Sequence, residues 1–257
     1  MKAMILAAGL GTRLRPWTLT HPKALVPIDG RPMLERVLTK LKAEGITDVV
    51  INVHHFSEQI IEFISNHDFG INIVISDESD RLLDTGGGIA NASSSLKLFD
   101  GDSILIYNVD ILSNANLKAL IEEHNNNKND ITLLTSNRDS TRKLIFDKDK
   151  NLSGWHNMTT NQYRPDGADK LLLGESNDSF HEAAFSGIYV MNTKALNLLE
   201  RRWKDMENAP FPIMDFLLDF STKLRVKEYN IPDLALLDIG KPTSLERAHD
   251  FISDTNL

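Results

Sequence analysis

Met4-Ile5-Leu6-Ala7-Ala8-Gly9-Leu10-Gly11-Thr12-Arg13-Leu14-Arg15-Pro16 is the stretch from which the fold can be read. Its first five residues are a short apolar run, long enough for one buried strand. The run breaks into a loop carrying two glycines. Such a loop leaves backbone N–H groups free to point at an anion, because glycine tolerates positive φ and lets a phosphate approach the main chain. Arg13 lies in the loop, and Lys23 follows in Pro22-Lys23-Ala24-Leu25-Val26-Pro27. The combination predicts a polyphosphate site, with a nucleoside triphosphate as the expected ligand.

Two look-alikes are set aside by their own spacing. A dinucleotide-binding fingerprint needs a third glycine three residues after the second, where this chain has Leu14. A Walker A loop needs Gly-Lys-Ser/Thr after four spacer residues, and none is present.

Downstream of the loop, helical and strand-like patterns alternate. Met33 to Glu44 has apolar residues at helical spacing, with Gly45 placed to end the helix. Val49 to Val53 reads as a buried strand. Ser57 to Ile64 reads as a helix with Ser57 as N-cap. Strands are expected at Ile71 to Ile75, Ser103 to Tyr107 and Ile131 to Thr135, with a helix from Asn116 to Asn125. The alternation predicts an α/β fold: a Rossmann-like, open, mixed but mainly parallel sheet with helices on both faces. Ligands of such sheets sit at the carboxyl ends of the strands, where the glycine loop lies. Residues 156–182 read as an irregular excursion or hairpin. A strand is expected from Ala184 to Met191, a helix from Met214 to Phe220, a strand from Val226 to Tyr229 and a last helix from Pro242 to Ser253.

Two carboxylates end buried runs, Asp110 in Asn108-Val109-Asp110 and Asp238 in Asp238-Ile239-Gly240. A divalent metal, usually Mg²⁺, is commonly held by one or two such carboxylates while phosphate oxygens complete its shell. A third constellation is Asp84-Thr85-Gly86-Gly87-Gly88, which reads as backbone approaching a flat ligand just before a helix begins. His54-His55 reads as a loop or base-pocket pair rather than a zinc site.

Composition narrows the classes. A chain of 257 residues with 41% hydrophobic and 25% charged content suits one large globular domain or a domain with a small appendage, and a single domain, 1–257, is the expectation. Its formal net charge of −8 argues against non-specific nucleic-acid binding, so any phosphate site is a local basic pocket. The absence of cysteine excludes thiolate catalysis, disulfides and cysteine-held zinc. No signal peptide or membrane-spanning run is visible, and a cytoplasmic protein is expected.

Leu6-Ala7-Ala8-Gly9-Leu10-Gly11-Thr12-Arg13-Leu14 with Pro22-Lys23-Ala24-Leu25 resembles the signature of the sugar-1-phosphate nucleotidyltransferases, and the resemblance continues to about residue 250. It implies the nucleotide-diphospho-sugar transferase fold. Residues 1–135 would be the nucleotide-binding half and 136–257 the half that binds the sugar phosphate. The nucleotide would lie against Leu6, Ala7, Ala8, Gly9, Gly11, Thr12, Arg13, Lys23, Gly86, Gly87 and Asn108. Arg13, Lys23 and Asp110 would be catalytic, and Asp110 with Asp238 would hold Mg²⁺. Gly187 and Glu175 would face the sugar phosphate. The Glu-Lys-Pro element of many relatives is replaced here by Gly174-Glu175-Ser176-Asn177, and Lys241 stands where threonine is commoner. Within the family, Asp84 to Gly88 and the missing Glu-Lys-Pro are similar to N-acetylmuramate 1-phosphate uridylyltransferases, which serve cell-wall sugar recycling. Guanylyl or thymidylyl transfer to mannose, heptose or glucose 1-phosphate, a non-sugar phosphate acceptor, and a catalytically silent sensing subunit are the alternatives. Monomer and homodimer are both open.

Overall fold

The computed structural model describes residues 1–96, 98, 101–173 and 179–255. Strand β1 (Lys2–Leu6) turns Ala3 and Ile5 into one core cluster and Met4 into the other, as the two-residue period of a strand requires. After the glycine loop, β2 (Pro27–Ile28) and β3 (Arg31–Pro32) pair antiparallel and lead into α1 (Met33–Ala43). Leu34, Val37, Leu38 and Leu41 form the buried stripe of α1. The helix stops where Gly45 takes φ +83°. Gly45 N–H donates to the Lys42 carbonyl at 2.9 Å and Ile46 N–H to that of Leu41 at 3.0 Å, while Leu41 and Ile46 are both buried.

The next elements are β4 (Asp48–Val53), α2 (Ser57–Ser65), β5 (Asn72–Asp77), α3 (Asp84–Ser93), β6 (Ser103–Asn108), β7 (Ile111–Ser113), α4 (Leu117–Asn126) and β8 (Ile131–Ser136). A meander of β9 (Arg142–Asp147), β10 (Leu152–Asn157) and β11 (Gln162–Arg164) precedes the short α5 (Asp169–Leu173). The chain closes with β12 (Phe180–Asn192), α6 (Thr193–Asp205), α7 (Ile213–Phe220), β13 (Val226–Asn230), β14 (Leu236–Asp238), α8 (Pro242–Glu246) and α9 (Ala248–Thr255).

Among the described residues, ten strands make one mixed sheet. Its central run is β5-β4-β1-β6-β12-β8-β13, in which β12 alone is reversed. Helices α1, α2 and α4 supply residues to the core on one face, and α3, α6 and α7 to the core on the other. The carboxyl ends of β1, β4 and β6 therefore open on one edge, which is where the loops of interest emerge.

Several expectations are corrected by packing. Ser57 is the first helical residue of α2 rather than its cap. Phe56, at φ 52°, holds the cap position, and the Ser57 hydroxyl shares a 2.8 Å hydrogen bond with Ser79. Gly86, Gly87 and Gly88 lie inside the first turns of α3, not ahead of it. The hairpin reading of 156–182 holds in part, since β10 and β11 pair antiparallel across 155–164 and α5 follows. The expected last helix breaks at Arg247 into α8 and α9, and α6, whose apolar face packs on the core, has no counterpart among the sequence-based expectations.

Candidate active site

The loop after β1 is built around Gly11, which sits at φ +61° and ψ 28°. A side chain there would be strained and would also strike Thr18 and Lys23, because its Cβ would lie 2.8 Å from Thr18 Cγ2 and 2.9 Å from Lys23 Cβ. Leu14 N–H and the Thr18 hydroxyl both donate to the Gly11 carbonyl, at 2.8 and 2.9 Å. Among the described residues no backbone N–H from Gly9 to Arg13 donates to the protein. A methyl group added to Gly9 would meet nothing within 4 Å, so the main chain there is open. The loop is anchored upstream by Ala7 N–H donating to Asn52 Oδ1 at 2.8 Å. Asn52 is itself held by Glu78, to whose Oε1 its Nδ2 donates at 2.9 Å.

A cleft of about 310 Å³ opens beside this loop. Leu6, Ala7, Ala8, Gly9 and Lys23 line one side, and Asn108 and Asp110 another. From the α3 segment the lining residues are Leu82, Asp84 and Thr85. Gly86 and Gly87 stand behind them. A Cβ on Gly86 would fall 2.4 Å from the Phe211 ring, and one on Gly87 would fall 3.1 Å from Leu83. Thr12 and Arg13 are exposed on the loop.

Lys23 leads a single 3-10 turn after Pro22 and is ion-paired with Asp110 across the cleft. Asp110 ends the turn after β6, where the Tyr107 hydroxyl donates to the Ile111 carbonyl at 3.2 Å. The two-stranded β7–β14 ladder then brings Asp238 alongside, with Ile111 opposite Asp238 and Ile239 N–H donating to the Asp110 carbonyl at 2.8 Å. A small apolar cluster of Ile28, Met33, Leu112, Leu237, Ile239 and Ala248 holds that ladder in place.

Asp238 Oδ1 is buried without a hydrogen-bond partner among the described residues. Burial pushes its carboxyl above the usual carboxylate range and the charge of Asp110 adds to the shift, while Lys23, Arg13 and Arg138 oppose it. Gly240 makes the approach of Arg13 possible, since a Cβ there would lie 2.5 Å from Arg13 Nη2 and 2.7 Å from Asp238 Oδ1. An unpaired carboxylate oxygen beside a second carboxylate is a hard-oxygen donor set suited to a divalent cation that also takes phosphate oxygens. No cluster of three or more His, Asp or Glu with metal-holding geometry occurs among the described residues. His54 and His55 are used otherwise, their rings bonding the Glu78 and Thr18 carbonyls at 2.6 and 3.1 Å.

On the far side of β6, Gly187 takes φ +80° at the irregularity of β12, and a Cβ there would lie 2.6 Å from Asn108 Nδ2. Gly187 thus abuts the cleft wall. Glu175 lies outside the described residues. Arg138, absent from the residues expected at the site, donates to the Phe185 carbonyl at 3.0 Å and lies near enough to Asp238 for the two charges to interact. No motif marks it, and only the convergence of β8, β12 and β14 reveals it. No helix among the described residues is long and apolar enough to cross a membrane.

In sequence and in fold the chain is similar to several known proteins. The family model described as nucleotidyl transferase matches residues 2–255. A mannose-1-phosphate guanylyltransferase of Arabidopsis thaliana is 29% identical over 213 residues, covering 82% of this chain and 55% of the relative. The mannose-1-phosphate guanyltransferase of Saccharomyces cerevisiae is 28% identical over 265 residues, covering 100% of this chain and 64% of the relative. The chain therefore spans between half and two thirds of the length of these curated relatives. In fold, it is similar to HddC from Yersinia pseudotuberculosis complexed with GMP-PN, with a TM-score of 0.72, 22% identity and coverage of 97% and 98% of the two chains. It is also similar to the inositol-1-phosphate CTP transferase of T. maritima, with a TM-score of 0.74, 17% identity and coverage of 99% and 96%.

Proposed function

The chain belongs to the nucleotidyl transferase family, and from that premise we propose that it transfers a nucleotidyl group from a nucleoside triphosphate to a sugar 1-phosphate. The observation that carries this reading is the convergence of Lys23, Asp110, Asp238 and Arg13 on one cleft beside an open glycine loop. Residues 1–135 form the nucleotide half and 136–257 the acceptor half.

The acceptor's phosphate oxygen attacks the α-phosphorus. A new P–O bond forms as the α–β bridging bond breaks, and its electron pair leaves with pyrophosphate. The attacking oxygen is already ionised near neutral pH, so no general base is needed. The chain's task is positioning and charge compensation. Loop N–H groups and Arg13 hold the β- and γ-phosphates and the departing pyrophosphate. Lys23 sits by the α-phosphate, tethered by Asp110. Asp110 and Asp238 would hold a divalent ion, Mg²⁺ in our reading, which when bound neutralises and orients phosphate oxygens. The nucleobase lies toward Leu82, Asp84 and Thr85, with Gly86 and Gly87 giving that wall its shape from behind.

Relatives named as mannose-1-phosphate guanylyltransferases make GTP with mannose 1-phosphate the first pair to test. The sequence Asp84-Thr85-Gly86-Gly87-Gly88 favours a second pair, UTP with N-acetylmuramate 1-phosphate. The experiment is pyrophosphate release with Mg²⁺, crossing GTP, UTP, dTTP and CTP with mannose, N-acetylmuramate, glucose and heptose 1-phosphates. One strongly preferred pair is expected. Silence across the panel from folded, nucleotide-binding protein would overturn the reading.

A further inference from the structure

Arg138 stands two residues beyond β8, half-buried, in Asn137-Arg138-Asp139. Its Nη2 donates to the Phe185 carbonyl at 3.0 Å, and its Nη1 reaches the Asp139 carbonyl at only 3.4 Å. Its Nε is buried with no partner among the described residues. A guanidinium carries five N–H donors in a rigid fork, and a buried donor left unsatisfied is costly. Most of this fork is therefore uncommitted.

The surroundings indicate what the fork is for. Phe185 opens the irregularity of β12 that continues to Gly187, and Gly187 abuts Asn108 on the cleft wall. Asp238 is near enough for its charge to act on the guanidinium. The strand end that carries Arg138 is braced from below. Buried Glu228 accepts from the Thr135 hydroxyl at 2.7 Å, and Asn230 Nδ2 donates to Thr135 Oγ1 at 3.0 Å and to Asn137 Oδ1 at 3.3 Å.

A sugar 1-phosphate enters as a dianion, and two carboxylates already occupy the centre of the site. Lys23 is committed to Asp110, and Arg13 belongs to the loop that faces the nucleoside triphosphate. We propose that Arg138 binds the phosphate of the incoming sugar 1-phosphate, its free N–H groups holding two non-bridging oxygens while the third remains free to attack. This assignment rests on the reading given under Proposed function. It places the acceptor phosphate between β12 and Asp238, on the β8–β12 side of the cleft.

The test is a split of Michaelis constants in the substrate pair that the wild type turns over. Arg138→Gln is expected to raise KM for the sugar 1-phosphate by about 10- to 100-fold, the worth of a charged hydrogen bond. KM for the nucleoside triphosphate should stay within about threefold. Arg138→Lys should recover part of the loss, since it keeps the charge but not the planar fork. It also serves where the glutamine variant folds poorly. Equal rises in both constants, or an unchanged acceptor KM with a lowered melting temperature, would overturn the proposal and leave Arg138 as a brace for Phe185. A wild type without turnover on any pair is a different failure: it removes the underlying function and this assignment with it.

Discussion

Two glycine-rich segments adjoin the same cleft and use their glycines for opposite purposes. After β1, Gly9 has empty space around it, and Gly11 is required by a left-handed backbone and by the closeness of Lys23. In α3 the glycines face protein. Gly86 gives its space to the Phe211 ring and its N–H to the Phe211 carbonyl at 2.9 Å. A Cβ on Gly88 would lie 2.8 Å from both Asn52 Nδ2 and Glu78 Oε1. One segment keeps its backbone open, where a ligand can come close. The other lets a helix settle against α7 and its lead-in, and only its leading residues, Asp84 and Thr85, reach the cleft. Glycine in a sequence reports that something comes close to the backbone, without saying whether that something is substrate or protein.

The largest effect expected from this contrast is on turnover at the first segment. Lys23→Ala should lower kcat by about a thousandfold or more, the scale of losing a fixed charge on the transition state, while leaving the melting temperature within a few degrees. A collapse of the fold instead would show that Lys23 chiefly holds the loop together. The glycine pair separates the two segments directly. Gly86→Ala should cost about 1–3 kcal/mol by overpacking against Phe211, read as a lower urea midpoint. Gly9→Ala should change stability by no more than about 0.5 kcal/mol and act instead on KM for the nucleoside triphosphate. Equal stability losses at the two positions would break the distinction.

The smallest expected effect lies in the brace that joins the segments. Glu78 accepts from Asn52 on the loop side and from Leu83 N–H, at 3.2 Å, on the α3 side. Burial raises its carboxyl above the ordinary glutamate value of 4.5, against the pull of those hydrogen bonds. The folded state therefore keeps the proton longer than the unfolded chain. The stability due to Glu78 is full below pH 4.5 and is lost as pH rises through the raised native value. Unfolding free energies from about pH 4 upward should show this decline in the wild type and not in Glu78→Gln. A wild type that gains stability over the variant across that range would contradict the assignment.

Much of the first half is legible in the sequence because its signals are local. The stripe Leu34, Val37, Leu38, Leu41 and the stop at Gly45 are both written within a dozen residues, and the structure follows them closely. The cap of α2 is not legible in this way, because Ser57 finds a better partner in Ser79, a contact between segments. Three glycines in a row suppress helix propensity, so a linear reading puts those of α3 ahead of the helix. Phe211, which fills the space that Gly86 leaves, lies far along the chain. Arg138 carries no signal at all, since an arginine after a strand is ordinary until its neighbours are known.

From the sequence alone come the strand that breaks into a glycine loop, the α/β alternation, the cations Arg13 and Lys23, and two acids at strand ends. Hydrophobic period, turn chemistry and charge are properties of neighbouring residues, so they can be read along a line. The tertiary structure decided that the β7–β14 ladder sets Asp238 beside Asp110, that Gly240 admits Arg13, and that β12 brings Gly187 against Asn108 and its Phe185 carbonyl to Arg138. Those outcomes depend on strand register and on which volumes remain unfilled when distant segments pack, and no local pattern encodes either.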